Sequence, residues 1–246
     1  MADTPTAVAI APATKPTAAV QAVATSVGTV ATPVIASPTT ASPPAVSAAG
    51  NPSVKILDQT EYADSIGIDH VIGVIQNTGT GPVDQIKVVA SWNDASGATV
   101  ATGDDNLLSL VILAPGQKAP FDVDLLAKAP VNAKLQMQTQ AASYDPNGLI
   151  LFPPAQGLTV EGDKLGKGSF STTVTGRVVN KGKLPATLVG ILVIGYDAKG
   201  KVIDVADGSP ELDPIAPGAN SPFSVDLRRS DVKVAKYELL VRGVEK

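Results

Sequence analysis

Beyond residue 52 the chain runs in short stretches of alternating apolar and polar residues, punctuated by Gly, Pro, Asn and Asp. Phe223, Val225 and Leu227 alternate with Ser224 and Asp226, which predicts a strand with one buried and one wet face. Tyr237-Glu238-Leu239 opens a last strand, and Leu135-Gln136-Met137-Gln138 opens its counterpart earlier in the chain. Leu188-Val189-Gly190-Ile191-Leu192-Val193-Ile194 is apolar on both faces. That pattern predicts a central strand, or one that meets a neighbouring copy. Asp94-Ala95-Ser96-Gly97 and Asp197-Ala198-Lys199-Gly200 read as tight hairpins, with Asp accepting local backbone bonds and Gly taking positive φ. Pro115-Gly116 and Pro217-Gly218 suit the two corners of a type II turn.

These signals occur twice. Val71-Ile72-Gly73-Val74-Ile75-Gln76-Asn77-Thr78-Gly79-Thr80-Gly81-Pro82 matches Val174-Thr175-Gly176-Arg177-Val178-Val179-Asn180-Lys181-Gly182-Lys183-Leu184-Pro185, with Gly73 and Gly176 separated by 103 residues. The same offset carries the first Asp-x-x-Gly onto the second. After one deleted residue, Leu113-Ala114-Pro115-Gly116 through Leu125 matches Ile215-Ala216-Pro217-Gly218 through Leu227. Three blocks in the same order mark an internal duplication. About seven short strands per copy is the pattern of a sandwich, with a closed barrel as the rival architecture.

Residues 1–52 differ in kind. They are nearly all Ala, Pro, Thr, Ser and Val, and only Asp3 and Lys15 carry charge. Without large side chains such a tract cannot offset its backbone entropy, so an extended spacer or stalk is expected. Its Ser/Thr and Pro content is that of O-glycosylated stalks. Val20, Val23, Val27, Val30 and Val34 fall at helical spacing, but Gly28, Pro33 and the many Thr residues oppose a helix. The alternative for this segment is ordering on a partner, as a strand added to a neighbour's sheet. The expected organisation is a tail over 1–52, a first β-sandwich over 53–144, a linker over 145–155 and a second β-sandwich over 156–246. The fold class is all-β: two tandem immunoglobulin-like sandwiches behind a low-complexity tail.

The order strand, Asn-x-Gly-x-x-Pro, strand, Asp-x-x-Gly, strand, Leu/Ile-Ala-Pro-Gly, Pro-Phe-x-Val resembles the FxLYD-type domain of bacterial and archaeal envelope proteins. It is similar, more loosely, to CARDB-type adhesion modules. The resemblance covers roughly residues 54–144 and 156–244. The name-giving motif falls on Ala90-Ser91-Trp92-Asn93-Asp94 and Val193-Ile194-Gly195-Tyr196-Asp197, which keep the Asp and, in the second copy, the Tyr. The resemblance implies immunoglobulin-like sandwiches outside the cytoplasm and no catalytic residues.

Composition narrows the chemistry. The net charge of -4 leaves no basic surplus for nucleic-acid phosphates, so no nucleic-acid partner is expected. Charge is uneven: residues 53–144 carry five Lys/Arg against ten Asp/Glu, and residues 145–246 carry thirteen against twelve. Head-to-tail contact between copies is one consequence of such asymmetry; ordinary surface scatter is the other. There are no cysteines, which removes thiol nucleophiles, disulfides and Cys-based zinc sites. No apolar run reaches the length of a transmembrane helix. The N-terminus lacks the pattern of a signal peptide, so a secreted form is expected to be processed or exported by another route.

His70 is the only histidine, and no Gly-x-Ser-x-Gly elbow accompanies it, so a surface histidine at a strand edge is expected. Glu61, Asp64 and Asp69, and the loop group Asp104, Asp105 and Asn106, offer oxygen ligands of the kind that hold Ca²⁺. They lack a calcium-loop pattern and read as solvated charges; as a glycosidase pair they lack an aromatic cleft. Gly79, Gly81 and Gly182 have no following Gly-Lys-Ser/Thr and read as turns. Trp92 reads as a core strand residue rather than an exposed platform, with Tyr196 expected to fill the matching space beside Gly195. No catalytic, cofactor or metal residue is therefore assigned. The expected role is a non-catalytic secreted or surface protein, partnered by another protein or by itself in a fibre or sheath. The alternative is a monomeric envelope module for a protein or glycan ligand.

Overall fold

A computed structural model describes residues 53–125, 132–146, 153–167 and 171–246. The tail, with its expected stalk and glycosylation, lies outside the described residues. All regular structure among the described residues is antiparallel β. The first half contains β1 (Val54–Ala63), β2 (Asp69–Asn77), β3 (Val83–Asn93), β4 (Thr99–Asp104), β5 (Lys118–Leu125) and β6 (Lys134–Ser143). The second contains β7 (Leu158–Lys167), β8 (Thr172–Asn180), β9 (Ala186–Tyr196), β10 (Val202–Gly208), β11 (Asn220–Asp226) and β12 (Lys236–Glu245). The sheets are β1-β2-β5 and β4-β3-β6, then β7-β8-β11 and β10-β9-β12. The strand order of the first half thus recurs in the second, and each half fits a β-sandwich.

The turns behave as their chemistry requires. Gly97 and Gly200 take φ of 88° and 85°, while Asp94 and Asp197 each accept two amide bonds through Oδ1. Asp64 builds a third turn of this type between β1 and β2, accepting from Ile66 and Ile68 at 3.0 and 2.8 Å, with Gly67 at φ 85°. It caps this turn and stays partly exposed. Pro-Gly closes with Gln117 N donating to Ala114 O and Ala219 N to Ala216 O, both at 3.0 Å.

Two repeated features sit in the strands. Asn77 and Asn180 are fully buried. Each Nδ2 donates to two carbonyls, those of Gly81 and Leu113 or of Leu184 and Ile215, and each Oδ1 takes an amide, that of Gly79 or Gly182. Every polar atom of both amide side chains is therefore used, as burial demands. Gly73 pairs with Phe121, and Gly176 pairs with Phe223. In both places the phenyl ring occupies the space a Cβ would need.

The apolar cluster of the first half does not stop at its own sheets. It contains Val71, Ile72, Val74, Val88, Trp92, Phe121 and Val123, and it also takes in Leu192, Ile194, Val202, Val205 and Leu240 of the second half. Sheet β1-β2-β5 therefore packs on β4-β3-β6 and on β10-β9-β12. This is why β2 is buried without a break from Val71 to Ile75, and β9 from Val189 to Gly195. β9 is the centre of its sheet, as its pattern predicts, and its second apolar face meets the first half of the same chain rather than another copy. The second core, around Leu158, Val178, Ile191, Phe223 and Leu239, is separate. Trp92 is buried, and beside its counterpart Gly195 the space is taken by Val234 Cγ2, 3.3 Å from where a Cβ would lie. Tyr196 instead leans on the first half's cluster.

Candidate functional site

Among the described residues, a dense group of ionisable side chains lies at the joint between the halves, and its position follows from the register. Asp69–Asn77 is the middle strand of its sheet, so His70 stands between Tyr62 of β1 and Asp124 of β5. Asp122, two residues before Asp124, points to the same face because strand side chains alternate. His70 is thus not a surface residue at a strand edge: its side chain is 11% exposed.

The imidazole stacks on Tyr62 at 4.8 Å with the rings 6° from parallel. Its Nδ1 lies 2.8 Å from Asp124 Oδ1 and 3.3 Å from Asp122 Oδ1, and its Nε2 lies 3.6 Å from Asp64 Oδ2. The short contact to Asp124 is off the line of a hydrogen bond, and that oxygen has no bonded partner; the bond itself runs to Asp122. From the second half, Arg228 pairs with Asp122 through Nη1 and with Asp207 through Nη2 at 3.2 Å. Arg229 lies over the Tyr62 ring at 4.6 Å, bonds Asp231 at 2.7 Å, and gives its backbone N–H to buried Asp204. The surrounding cleft is lined by Tyr62, Asp64, Ser65, His70, Arg228, Arg229 and Ser230.

Burial sets the electrostatics. Asp122 is fully enclosed, and desolvation pushes its pKa up, against the opposing pull of Arg228. Asp204 is raised for the same first reason, partly offset by the backbone bond from Arg229. Asp105 is pushed up to about 6 by burial, although its oxygens accept the amides of Asp122, Leu107 and Leu108. Asp105 also bridges β5 at Val123, so it is a half-buried structural acid rather than a freely solvated loop charge.

His70, Asp122 and Asp124 present ligand atoms within 4.8 Å of one another, a donor set that suits a divalent cation. Arg228, however, already brings a positive charge to Asp122. Among the described residues no hydrogen bond joins a serine hydroxyl to His70. Of the acids singled out in the sequence, Asp64 reaches this cluster; Asp104 pairs with Lys87 at 2.5 Å elsewhere on the sheet.

Sequence reasoning passed over Tyr62, Asp122, Asp124, Arg228 and Arg229. One signal was present in the duplication. The second-half counterparts of His70, Asp122 and Asp124 are Thr173, Ser224 and Asp226. There a single bond of 2.5 Å from Thr173 Oγ1 to Asp226 satisfies the pair. His70 and Asp122 are where the first copy departs from the second, and that departure marks the docked face. No protein-family model matches the chain, and no curated protein matches it.

Proposed function

We propose that the chain is a non-catalytic structural or interaction protein, secreted or displayed at a cell surface, which associates with copies of itself. In this proposal each half is an immunoglobulin-like sandwich, related to FxLYD-type modules, and the tail serves as spacer and connector. One observation carries its non-catalytic part. The only histidine and its acids are engaged at a joint, where Arg228 and Arg229 of one half meet Asp122 and Tyr62 of the other. Residues that would serve chemistry in an enzyme are here in structural service.

Mass measured by light scattering over a range of concentrations, followed by electron micrographs, tests the proposal. Growth of mass and filaments are expected. A constant monomer mass favours the second reading, a module whose cleft beside His70 takes a protein or glycan ligand; Ser65, Ser230, Arg229 and Asp64 there offer polar groups of both signs.

A further inference from the structure

We propose that the outer edge of β6, which among the described strands pairs with β3 alone, accepts an added strand supplied by residues 17–32 of a second copy's tail. This rests on self-association and names the surface that would carry it.

An exposed sheet edge is a row of unpaired backbone groups, and folded proteins blunt it with charge, proline, bulges or shortness. Among the described strands the edges are blunted in that way, with one exception. β12 carries Glu238 and Arg242 and a register break. β7 carries Glu161, Asp163, Lys164 and Lys167 and a register break. β11 has Pro222, and β5 has Pro120 with Asp122 and Asp124. β1 carries Lys55, Asp58 and Glu61 and a register break, β10 has a break after Val202, and β4 is short. β6 reads Lys-Leu-Gln-Met-Gln-Thr-Gln-Ala-Ala-Ser: no proline, no glycine and no charge after Lys134. The bulge in its pairing with β3 lies on the β3 side, where Gln85 takes φ 47°.

The duplication supplies an independent comparison. The inward row of β12, Tyr237, Leu239 and Val241, is buried, and Pro154 pairs with the end of that strand at Val244. The counterpart row of β6 is Leu135, Met137 and Thr139; Leu135 and Met137 pack on the first core, and all three are only partly buried. The rim of the first core is therefore unfinished along the one unguarded edge.

The occupant follows from the chain's own composition. An added strand needs an unbroken series of N–H groups. Residues 17–32 are the longest proline-free stretch before β1, rich in Val, Ala and Thr, with no charge. Small β-branched side chains suit a shallow rim. The chain joins β1 beside β6, where Thr139 Oγ1 donates to Val54 O at 3.0 Å. Residues 33–53 span up to about 70 Å when extended, enough to reach a neighbouring copy.

Hydrogen exchange of the full chain, read residue by residue at rising concentration, tests the proposal. The β6 amides are expected to slow at least tenfold in step with the growth of mass. A Val23→Pro, Val27→Pro double variant, which leaves all twelve strands untouched, is expected to lose both effects. Assembly with β6 still exchanging freely overturns the edge assignment while self-association stands. Assembly that survives the double variant overturns the part given to the tail. Protection of β6 that is independent of concentration places the strand in its own copy and overturns the intermolecular form. A mass that never grows removes self-association, and this proposal with it.

Discussion

At Gly73 the backbone carbonyl of Asp58 and the ring of Phe121 both fill the place of a Cβ. Packed interiors yield little to an added methyl group, and overpacking costs about 1–3 kcal/mol. Gly73→Ala is therefore expected to lower the thermal midpoint by several degrees. Gly166→Ala, where the nearest atom to a built Cβ is 3.9 Å away, is expected to leave it nearly unchanged. Asp105 belongs to the same scale. Its folded pKa, about 6, exceeds the value of about 3.9 expected when unfolded. The folded state then binds the proton more tightly, so this group's contribution is fully present below about pH 4 and is lost as pH rises through about 6. Denaturant midpoints taken at intervals from pH 4 to 7 are expected to show that decline in the parent. The parent-minus-variant difference for Asp105→Asn isolates it from acids such as Asp94 and Asp197, whose lowered pKa values act in the opposite direction.

Among elements, the two sheets built on β3 and β9 are repeat counterparts with opposite fates. Leu192, Ile194 and Leu240 face the first half, and their counterparts are Val89, Ser91 and Gln138. Ser91 and Gln138, polar at two of these three positions, keep the outer face of β4-β3-β6 wet. Ser91→Ile with Gln138→Leu is expected to make that face associate, seen as scattering that rises with concentration more steeply than the parent's; a concentration dependence equal to the parent's would count against it. Turns, alternation and duplication were legible because each is local or depends on like positions in two copies. Asp94, Gly97, Pro115 and Phe223 announce their own geometry. The partner of β9's second face was not legible, because an apolar run states only that it is covered. His70 was misjudged for a related reason: its neighbours Asp122 and Arg228 are distant in sequence and come together only when the sheets stack.

At the scale of the whole molecule, the balance of forces at the joint can be ranked. Leu192, Ile194, Val202, Val205 and Leu240 are all buried there, and full burial of such a side chain is worth about 1.5–3 kcal/mol. The half-exposed pair of Lys118 and Glu238 across the same joint contributes about 0–1 kcal/mol. Asp58 and Thr60 take both backbone groups of Val202, at 2.8 and 2.5 Å, and so fix the register without driving the docking. Apolar burial joins the halves, and the charged cluster around His70 orients them. Because Trp92 is the only tryptophan and lies in the first core, its fluorescence reports the first half alone. The most direct measurement is denaturant unfolding followed at Trp92 in Ile194→Asp, a change confined to the second half. If the halves are one docked body, the Trp92 transition shifts to lower denaturant; an unchanged midpoint would show that the halves stand independently and contradict the joint.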